Sequence, residues 1–266
     1  MLPGNDKNQS LLYGLDGVSF AVGTRIVLAP LTLQLEPARI YGLVGPNGSG
    51  KSTLIKLLAR QQAPASGRID LFGRDIAGHG AREFSRLVAY MPQFTPPAEA
   101  LTVAELVALG RFPWHGALGA FSETDRSKVA DALAQAGIEA LSDRLVDTLS
   151  GGERQRVWLG MMLAQDAKVL LLDEPTSALD VAHQVEVLAL ISRLCRESGI
   201  SVVVILHDIN MAARYCDEII ALGEGRLIAR GTPDEILQAD MLAKIYGVAM
   251  GIMPHPVTGT PVSYVI

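Results

Sequence analysis

The apolar positions of the chain change rhythm twice. From Leu12 to Val44 they come in short, strand-like stretches: Leu31, Leu33 and Leu35 alternate with polar neighbours, the period of a strand with one buried face, and Ile40–Val44 runs apolar into a glycine-rich loop. Lys51–Arg60 reads as a helix. A turn at Ser66–Gly67 leads into strand Arg68–Leu71, and Leu87–Met91 is a strand stopped by Pro92.

The middle of the chain is helical. Thr102 opens a helix rich in Val, Leu and Ala that ends near Gly110, and Ser122 caps another, with Asp125 three positions on and Gly137 beyond its end. Val129, Leu133 and Ala136 share one face of the second helix. Between them, Arg111–Ala120 (RFPWHGALGA) is too rich in Gly and Pro to predict a helix. From Lys168 strand and helix alternate again: strand Val169–Leu172, helix Val181–Ser198 stopped by Gly199, strand Ser201–Leu206, a helix from Ile209, strand Glu218–Leu222, a GEGR turn and a helix start at Thr232. The pattern predicts one α/β domain over 1–266 with two lobes. An α/β core with a small N-terminal antiparallel β region takes 12–93 and 166–266, and an α-helical lobe is inserted over 94–165.

Composition narrows the setting. Apolar residues make up 49% of the chain, enough for a sizeable core and for a surface that rests against something. The most apolar runs, Val169–Leu172 and Val202–Leu206, are far shorter than the roughly 20 residues that cross a bilayer, and they read as buried parallel strands. The N-terminal MLPGNDKNQS has no basic stretch followed by an apolar one, so no secretory signal is expected and the chain is assigned to the cytoplasm. Cys195 and Cys216 stand singly in helical patterns, which predicts buried thiols in a reducing compartment. A net charge of −5 with interspersed signs and no basic stripe argues against a nucleic-acid partner.

Three segments carry chemistry. Gly45-Pro46-Asn47-Gly48-Ser49-Gly50-Lys51-Ser52-Thr53 follows a predicted strand and opens a predicted helix, the setting of a phosphate-binding Walker A loop. Glycines let backbone N–H groups curl around phosphate oxygens, and the helix start adds a positive dipole end. In such a loop Lys51 reaches the β- and γ-phosphates and the Ser52 hydroxyl ligates Mg²⁺, so MgATP is the expected ligand. Asp173 and Glu174 end an apolar strand, and successive strand side chains face opposite ways, which gives the two acids different tasks. Asp173 is expected to hold the metal through water, and Glu174 to orient the attacking water, a role worth about 10² to 10⁴ in rate. In Leu149-Ser150-Gly151-Gly152-Glu153-Arg154-Gln155, a serine and two glycines open a helix and make a second phosphate-facing N-terminus. One nucleotide cannot need both helix ends from one chain.

Together with the phosphate loop and the acid pair, LSGGERQ resembles the signature of ABC-type ATPases, P-loop NTPases in which the signature of one subunit caps ATP held by the Walker A loop of another. The resemblance implies a dimer in which Ser150, Gly151 and Gly152 reach the partner's nucleotide. Gln93, after Tyr90-Met91-Pro92, resembles the Q-loop; Ser177-Ala178-Leu179-Asp180 resembles the D-loop; His207 resembles the switch histidine. The implied roles are γ-phosphate and metal sensing for Gln93, contact across the dimer for Asp180, and γ-phosphate contact for His207. Val22 stands where the family often stacks an aromatic residue on adenine, with Phe20 and Tyr13 nearby, which implies an apolar and loose hold on the base.

The segments RFPWHGALGAF, RLVDTLSGGERQRVW, SALDVAHQVEVL, LHDINMAARYCD and IYGVAMGIMPHP are similar to ATP-binding subunits of bacterial siderophore importers, foremost those for iron(III)-hydroxamates, with haem and vitamin B12 importer subunits close by. This resemblance implies a polytopic membrane permease, a second copy of the chain and, indirectly, a periplasmic or lipoprotein substrate-binding protein as partners. It also implies a peripheral position on the cytoplasmic face of the inner membrane. Within 94–120, Phe112, Trp114 and Leu118 fall where such subunits receive the permease's coupling helices; the alternative is that Trp114 anchors the loop to its own lobe. A soluble ABC protein acting on DNA or ribosomes would carry coiled-coil arms or two ATPase units, and a metabolic kinase has no use for LSGGERQ. Export ATPases are usually fused to their membrane spans.

Overall fold

The computed structural model describes residues 11–266 apart from Glu99, Ala117, Leu118 and Ala178. They gather into two compact units, one taking the chain up to Gly78 and again from Ser201, the other running His79–Ile200.

In the first unit, β1 (Tyr13–Val22) pairs antiparallel with β2 (Arg25–Leu35) on one side and with β4 (Ser66–Leu71) on the other, and β5 (Arg74–Asp75) extends the sheet beyond β4. The alternating Leu31, Leu33 and Leu35 are all buried, as their period requires. A second sheet places β3 (Ile40–Val44) parallel to both β8 (Ser201–Ile205) and β9 (Glu218–Gly223), with β10 (Arg226–Gly231) antiparallel to β9. Every residue of β3, β8 and β9 is buried, the mark of central strands covered on both faces. After the glycine-rich loop comes α1 (Lys51–Leu58), which buries Leu54, Ile55, Leu57 and Leu58; the buried Tyr13 hydroxyl donates to the Leu58 carbonyl at 3.0 Å. Helices α8 (Ile209–Tyr215), α9 (Pro233–Ile236) and α10 (Ala239–Tyr246) lead to a hairpin of β11 (Met250–Pro254) and β12 (Pro261–Val265). Asn210 on α8 clamps that hairpin: its amide oxygen accepts from the Ser263 N–H at 2.8 Å and hydroxyl at 3.0 Å, and its amide nitrogen donates to the Ser263 carbonyl at 3.1 Å.

In the second unit, β6 (Val88–Met91) and β7 (Val169–Leu172) pair in parallel, with Val88 opposite Val169. Around them stand α2 (Ala81–Leu87), α3 (Val103–Leu109), α4 (Phe112–His115), α5 (Glu123–Ala136), α6 (Gly151–Ala164) and α7 (Val181–Ser198). This division differs from the lobe boundaries expected at 93/94 and 165/166. The two strands expected in the α/β core pair with each other in the same compact unit as the helices, and α6 packs on β6. The capping signals act as read: Thr102 with Glu105 and Ser122 with Asp125 form capping boxes, and Gly137 takes the left-handed cap at φ 65°. Both cysteines are buried and neither is in a disulfide.

The segment 111–116 departs from expectation by forming a helical turn, α4. Proline is tolerated in a first helical turn because the N–H it lacks has no partner there. Tertiary contacts then hold the turn. The Trp114 indole N–H donates to the Gln165 carbonyl at 2.8 Å, and the guanidiniums of Arg86 and Arg111 lie 4.6 Å and 4.9 Å from its ring centre. Trp114 thus anchors the segment to its own unit. Arg111 is buried, and its Nε donates to the equally buried Asp125 at 2.8 Å while its Nη1 donates to the Ala164 carbonyl at 2.8 Å. The Ser122 hydroxyl and the Arg111 guanidinium hold the Asp125 carboxyl well below the usual carboxylate range.

Asp125→Ala leaves the buried Arg111 charge without a counter-ion, and we expect a loss of about 3 to 5 kcal/mol, read as a lower urea midpoint. Because the folded-state pKa is depressed, the carboxylate's contribution is fully present above the unfolded-state value of about 3.9 and is lost as the pH falls below it, so the gap between the two proteins narrows in acid.

Candidate nucleotide-binding and hydrolysis site

The phosphate loop hangs between β3 and α1 in the first unit. Gly45, Gly48 and Gly50 take φ of 133°, 77° and 99°, conformations that other residues adopt only under strain. A β-carbon on Gly45 would overlap the Leu222 carbonyl oxygen, and one on Gly50 would come 3.2 Å from the Val27 carbonyl oxygen. The turn after β9 buttresses the loop from below: the Gly225 N–H donates to the Ser49 carbonyl at 3.2 Å, and the Ala29 N–H donates to the Gly225 carbonyl at 2.8 Å. Lys51 is buried, its ammonium donating to the Gly45 and Pro46 carbonyls at 2.8 and 2.9 Å. The buried Ser49 hydroxyl has no hydrogen-bond partner among the described residues, a costly arrangement unless a ligand supplies one. Pro46, Asn47 and Gly48 are exposed, and Ser52 and Thr53 are half-buried in the first turn of α1. His207 is exposed, in the bend that follows β8.

Gln93, Asp173 and Glu174 belong to the second unit. The Asp173 N–H donates to the Met91 carbonyl at 2.9 Å and fixes the end of β7 against β6. Asp173 is 2% exposed; burial first, and then this neighbouring carboxylate, pushes the Tyr90 phenol up to about 12. Glu174 sits at φ 55°, a left-handed conformation that costs a non-glycine residue about 1 to 3 kcal/mol, and such strain concentrates at functional sites. Its carbonyl accepts from the Ser177 N–H at 3.3 Å and hydroxyl at 3.2 Å, and its carboxylate accepts from the Gln93 amide at 2.6 Å.

The signature serine is the N-cap of α6. Ser150 accepts from the Glu153 N–H at 3.3 Å, and both its own N–H and its hydroxyl donate to the Glu153 carboxylate at 2.8 Å. These bonds hold the Glu153 carboxyl below its ordinary value, the Ser150 N–H contributing most. Ser150 and Gly151 are exposed and Gly152 is buried, because the His183 ring lies where a Gly152 side chain would be. Asp180 caps α7 and accepts from both the backbone N–H and the ring Nδ1 of His183, at 2.9 and 2.8 Å. The backbone bond, ahead of the ring, lowers the Asp180 pKa.

Sequence reasoning missed His183. It is a polar residue inside an amphipathic helix and carries no motif of its own; only the packed glycine betrays it. Tyr13 is fully buried and Val22 is 63% exposed at the end of β1, so of the residues near the expected base position Tyr13 has no face to offer. Phe112 is exposed, whereas Leu118 lies outside the described residues.

A parallel strand running through a glycine-rich loop into a helix that opens on lysine defines a P-loop NTPase core. The ABC transporter family profile matches residues 28–177. The ferric enterobactin transport ATP-binding protein FepC of Escherichia coli (strain K12) is 41% identical over 244 residues, 92% of this chain and 90% of its own length. The iron(3+)-hydroxamate import ATP-binding protein FhuC of Bacillus subtilis (strain 168) is 38% identical over 240 residues, 90% of this chain and 89% of its own. The hemin import ATP-binding protein HmuV of Bordetella pertussis is 40% identical over 251 residues, 90% and 93% of the two chains. Among solved structures, an inward-facing transporter described as of metal-chelate type superimposes with a TM-score of 0.84 at 25% identity over 97% of both chains. The ATP-binding cassette MJ0796, dimeric in a post-hydrolysis state bound to ADP and Pi, gives a TM-score of 0.72 at 28% identity over 83% of this chain and 98% of that one. The chain belongs to the ABC transporter family, as its ATP-binding and ATP-hydrolysing type of subunit.

Gly45→Ala forces a methyl group into the Leu222 carbonyl at a φ that alanine resists. We expect the Kd for a fluorescent ATP analogue to rise at least ~10-fold, since strain of about 1 to 3 kcal/mol must be met each time the loop takes its binding shape.

Proposed function

We propose that this chain is the ATP-hydrolysing motor of a bacterial importer for iron(III) siderophores, with iron(III)-hydroxamates as the first cargo to test. The observation that carries the reading is the presence, in one chain, of two helix starts suited to phosphate, the loop before α1 and Ser150–Gly152 at the start of α6. One ATP then uses the phosphate loop of one copy and the signature of a second, and the chain works as a nucleotide-sandwich dimer. Siderophore cargo is supported by the relatives named for enterobactin and hydroxamate transport and by the segment resemblances outside the ATP motifs, whereas the relative named for hemin import supports haem as the alternative cargo.

In this reading the backbone N–H groups of Gly48–Thr53 wrap the phosphates, and the Lys51 ammonium exchanges the Gly45 and Pro46 carbonyls for phosphate oxygens. Ser52 in the first unit and Gln93 and Asp173 in the second each offer an oxygen, the donor type that Mg²⁺ takes. Held by these oxygens, Mg²⁺ would supply neutralisation of charge on the phosphate oxygens. Glu174 orients the attacking water and takes its proton, His207 contacts the γ-phosphate, and Asp180 meets the partner copy. ATP binds the closed dimer more tightly than the open one, and that difference moves the permease.

Among the described residues no helix is long and apolar enough to cross a membrane. In this reading the permease is a separate partner, and we assign its docking surface to the 94–120 region, where Phe94 and Phe112 are 84% and 55% exposed. The chain then sits on the cytoplasmic face of the inner membrane, and a periplasmic or lipoprotein binding protein delivers cargo to the permease.

The test is a pull-down from solubilised membranes with tagged Glu174→Gln protein and ATP, together with iron–hydroxamate uptake by cells lacking the chain. We expect a polytopic permease to co-purify, uptake to be lost, and hydrolysis by the variant to fall about 10² to 10⁴-fold with ATP binding retained. Phe94→Ser/Phe112→Ser is expected to keep ATP binding and lose the permease. Recovery of ribosomes or DNA-bound proteins with uptake intact would overturn the transport reading.

A further inference from the structure

Between the Asp180 loop and the signature glycines stands a side chain with no assigned task. His183 is in the first turn of α7, and its ring is held at both ends. At one end Nδ1 donates to Asp180 Oδ1 at 2.8 Å, the same oxygen that accepts the His183 backbone N–H at 2.9 Å. This bond fixes the ring's orientation and places the proton on Nδ1. At the other end the ring covers Gly152: a β-carbon built there would lie 2.7 Å from Cγ and 2.9 Å from Nε2, closer than real β-carbons approach. Neighbours on either side run the same way. Leu179 Cδ2 lies 3.8 Å from where a Gly151 β-carbon would sit, and Glu186 pairs with Arg156 on α6 at 3.7 Å. Leu179 precedes α7, while His183 and Glu186 follow the spacing of one face of that helix.

We propose that His183 is a positioning residue that locks the Asp180 loop to the signature glycines of the same chain, so that the two segments offered to a partner copy move as one body. The proposal rests on the dimer reading above, in which both segments engage the nucleotide site of a second copy. Its physical content is preorganisation. Two exposed segments that order separately each lose conformational freedom when the dimer closes, whereas two segments already joined lose it once. His183 touches no phosphate in this scheme and acts only through Asp180 and Gly152. It also explains the second glycine of the signature from within the chain: a side chain at position 152 would displace the ring.

Three substitutions separate the two ends of the link. His183→Asn keeps a donor for Asp180 and removes the ring from Gly152; His183→Phe keeps the ring and removes the donor; His183→Ala removes both. Each is made in the full-length chain, alone and with Glu174→Gln. The readouts are a fluorescent ATP analogue for the phosphate loop, hydrogen exchange of the Ser150–Val157 peptide without nucleotide, and the ATP concentration that half-dimerises the Glu174→Gln protein in sedimentation. Thermal midpoints check folding. We expect analogue affinity within about twofold of the parent, with exchange faster and the ATP requirement higher by about tenfold in all three, the scale of one lost coupling contact. His183→Asn or His183→Phe matching the parent in both exchange and dimerisation would overturn the proposal, because one end would then suffice. Faster exchange with an unchanged ATP requirement would make the contact structural only and overturn the positioning role. Failure of the Glu174→Gln parent to dimerise at any ATP concentration would instead sink the dimer reading and, with it, the partner-directed role, while the exchange data would still report on the link inside one chain.

Discussion

The chemistry of this chain depends on bringing main-chain N–H groups closer to an anion than a β-carbon permits. At the phosphate loop the requirement shows as three glycines in left-handed conformations and as a carbonyl oxygen, that of Leu222, standing where a Gly45 side chain would go. A loop so shaped does not hold itself. It is suspended from β3, a strand buried on both faces, and braced from below by the turn after β9 through Gly225. The parallel sheet of the first unit is in this sense the frame for a few ångströms of backbone. At the signature the exposed Gly151 opens α6, Gly152 is packed under the His183 ring, and the Ser150–Glu153 capping box sets the direction in which the helix starts.

The charged groups that would act on the nucleotide are held in place by their own neighbours. Lys51 rests on two carbonyls of its loop, and Glu174 rests on the Gln93 amide. Neither arrangement is idle, because a buried ammonium or a strand-end carboxylate without partners would carry a desolvation penalty. Both are arrangements that phosphate and water can replace at small net cost. The left-handed backbone of Glu174 shows that the position of this carboxylate is over-determined: the pairing of β6 with β7 fixes the residue before it, and Ser177 fixes its carbonyl.

How much of this was legible in the sequence follows the range of the forces involved. Caps at Thr102, Ser122 and Gly137 were readable because a capping box closes within four residues. The buried strands were readable because covering both faces demands an unbroken apolar run. The α4 turn was not, since Gly and Pro argue against a helix there and the decisive contacts come from Arg86, Asp125 and Gln165, distant in sequence. The same holds for the C-terminal hairpin, whose prolines hide its alternation and whose clamp is a single asparagine on α8. Site residues with motifs of their own could be named in advance, whereas His183 could not, because its meaning lies in a glycine 31 positions earlier.

The energy that such a machine needs can be compared with what these helix starts offer. Moving a two-state equilibrium from 1:99 to 99:1 takes about 5.5 kcal/mol of differential affinity, roughly 3 kcal/mol for each of two nucleotides in a symmetric dimer. A hydrogen bond to a charged group contributes about 1.5 to 3 kcal/mol, so one or two signature N–H groups per ATP are enough. No large apolar dimer surface is then required, and a large one would work against the cycle by holding the closed state after the phosphate has left. The exposed Ser150 and Gly151 at the start of α6 suit that requirement: contacts made only while the nucleotide is present are contacts that hydrolysis can break.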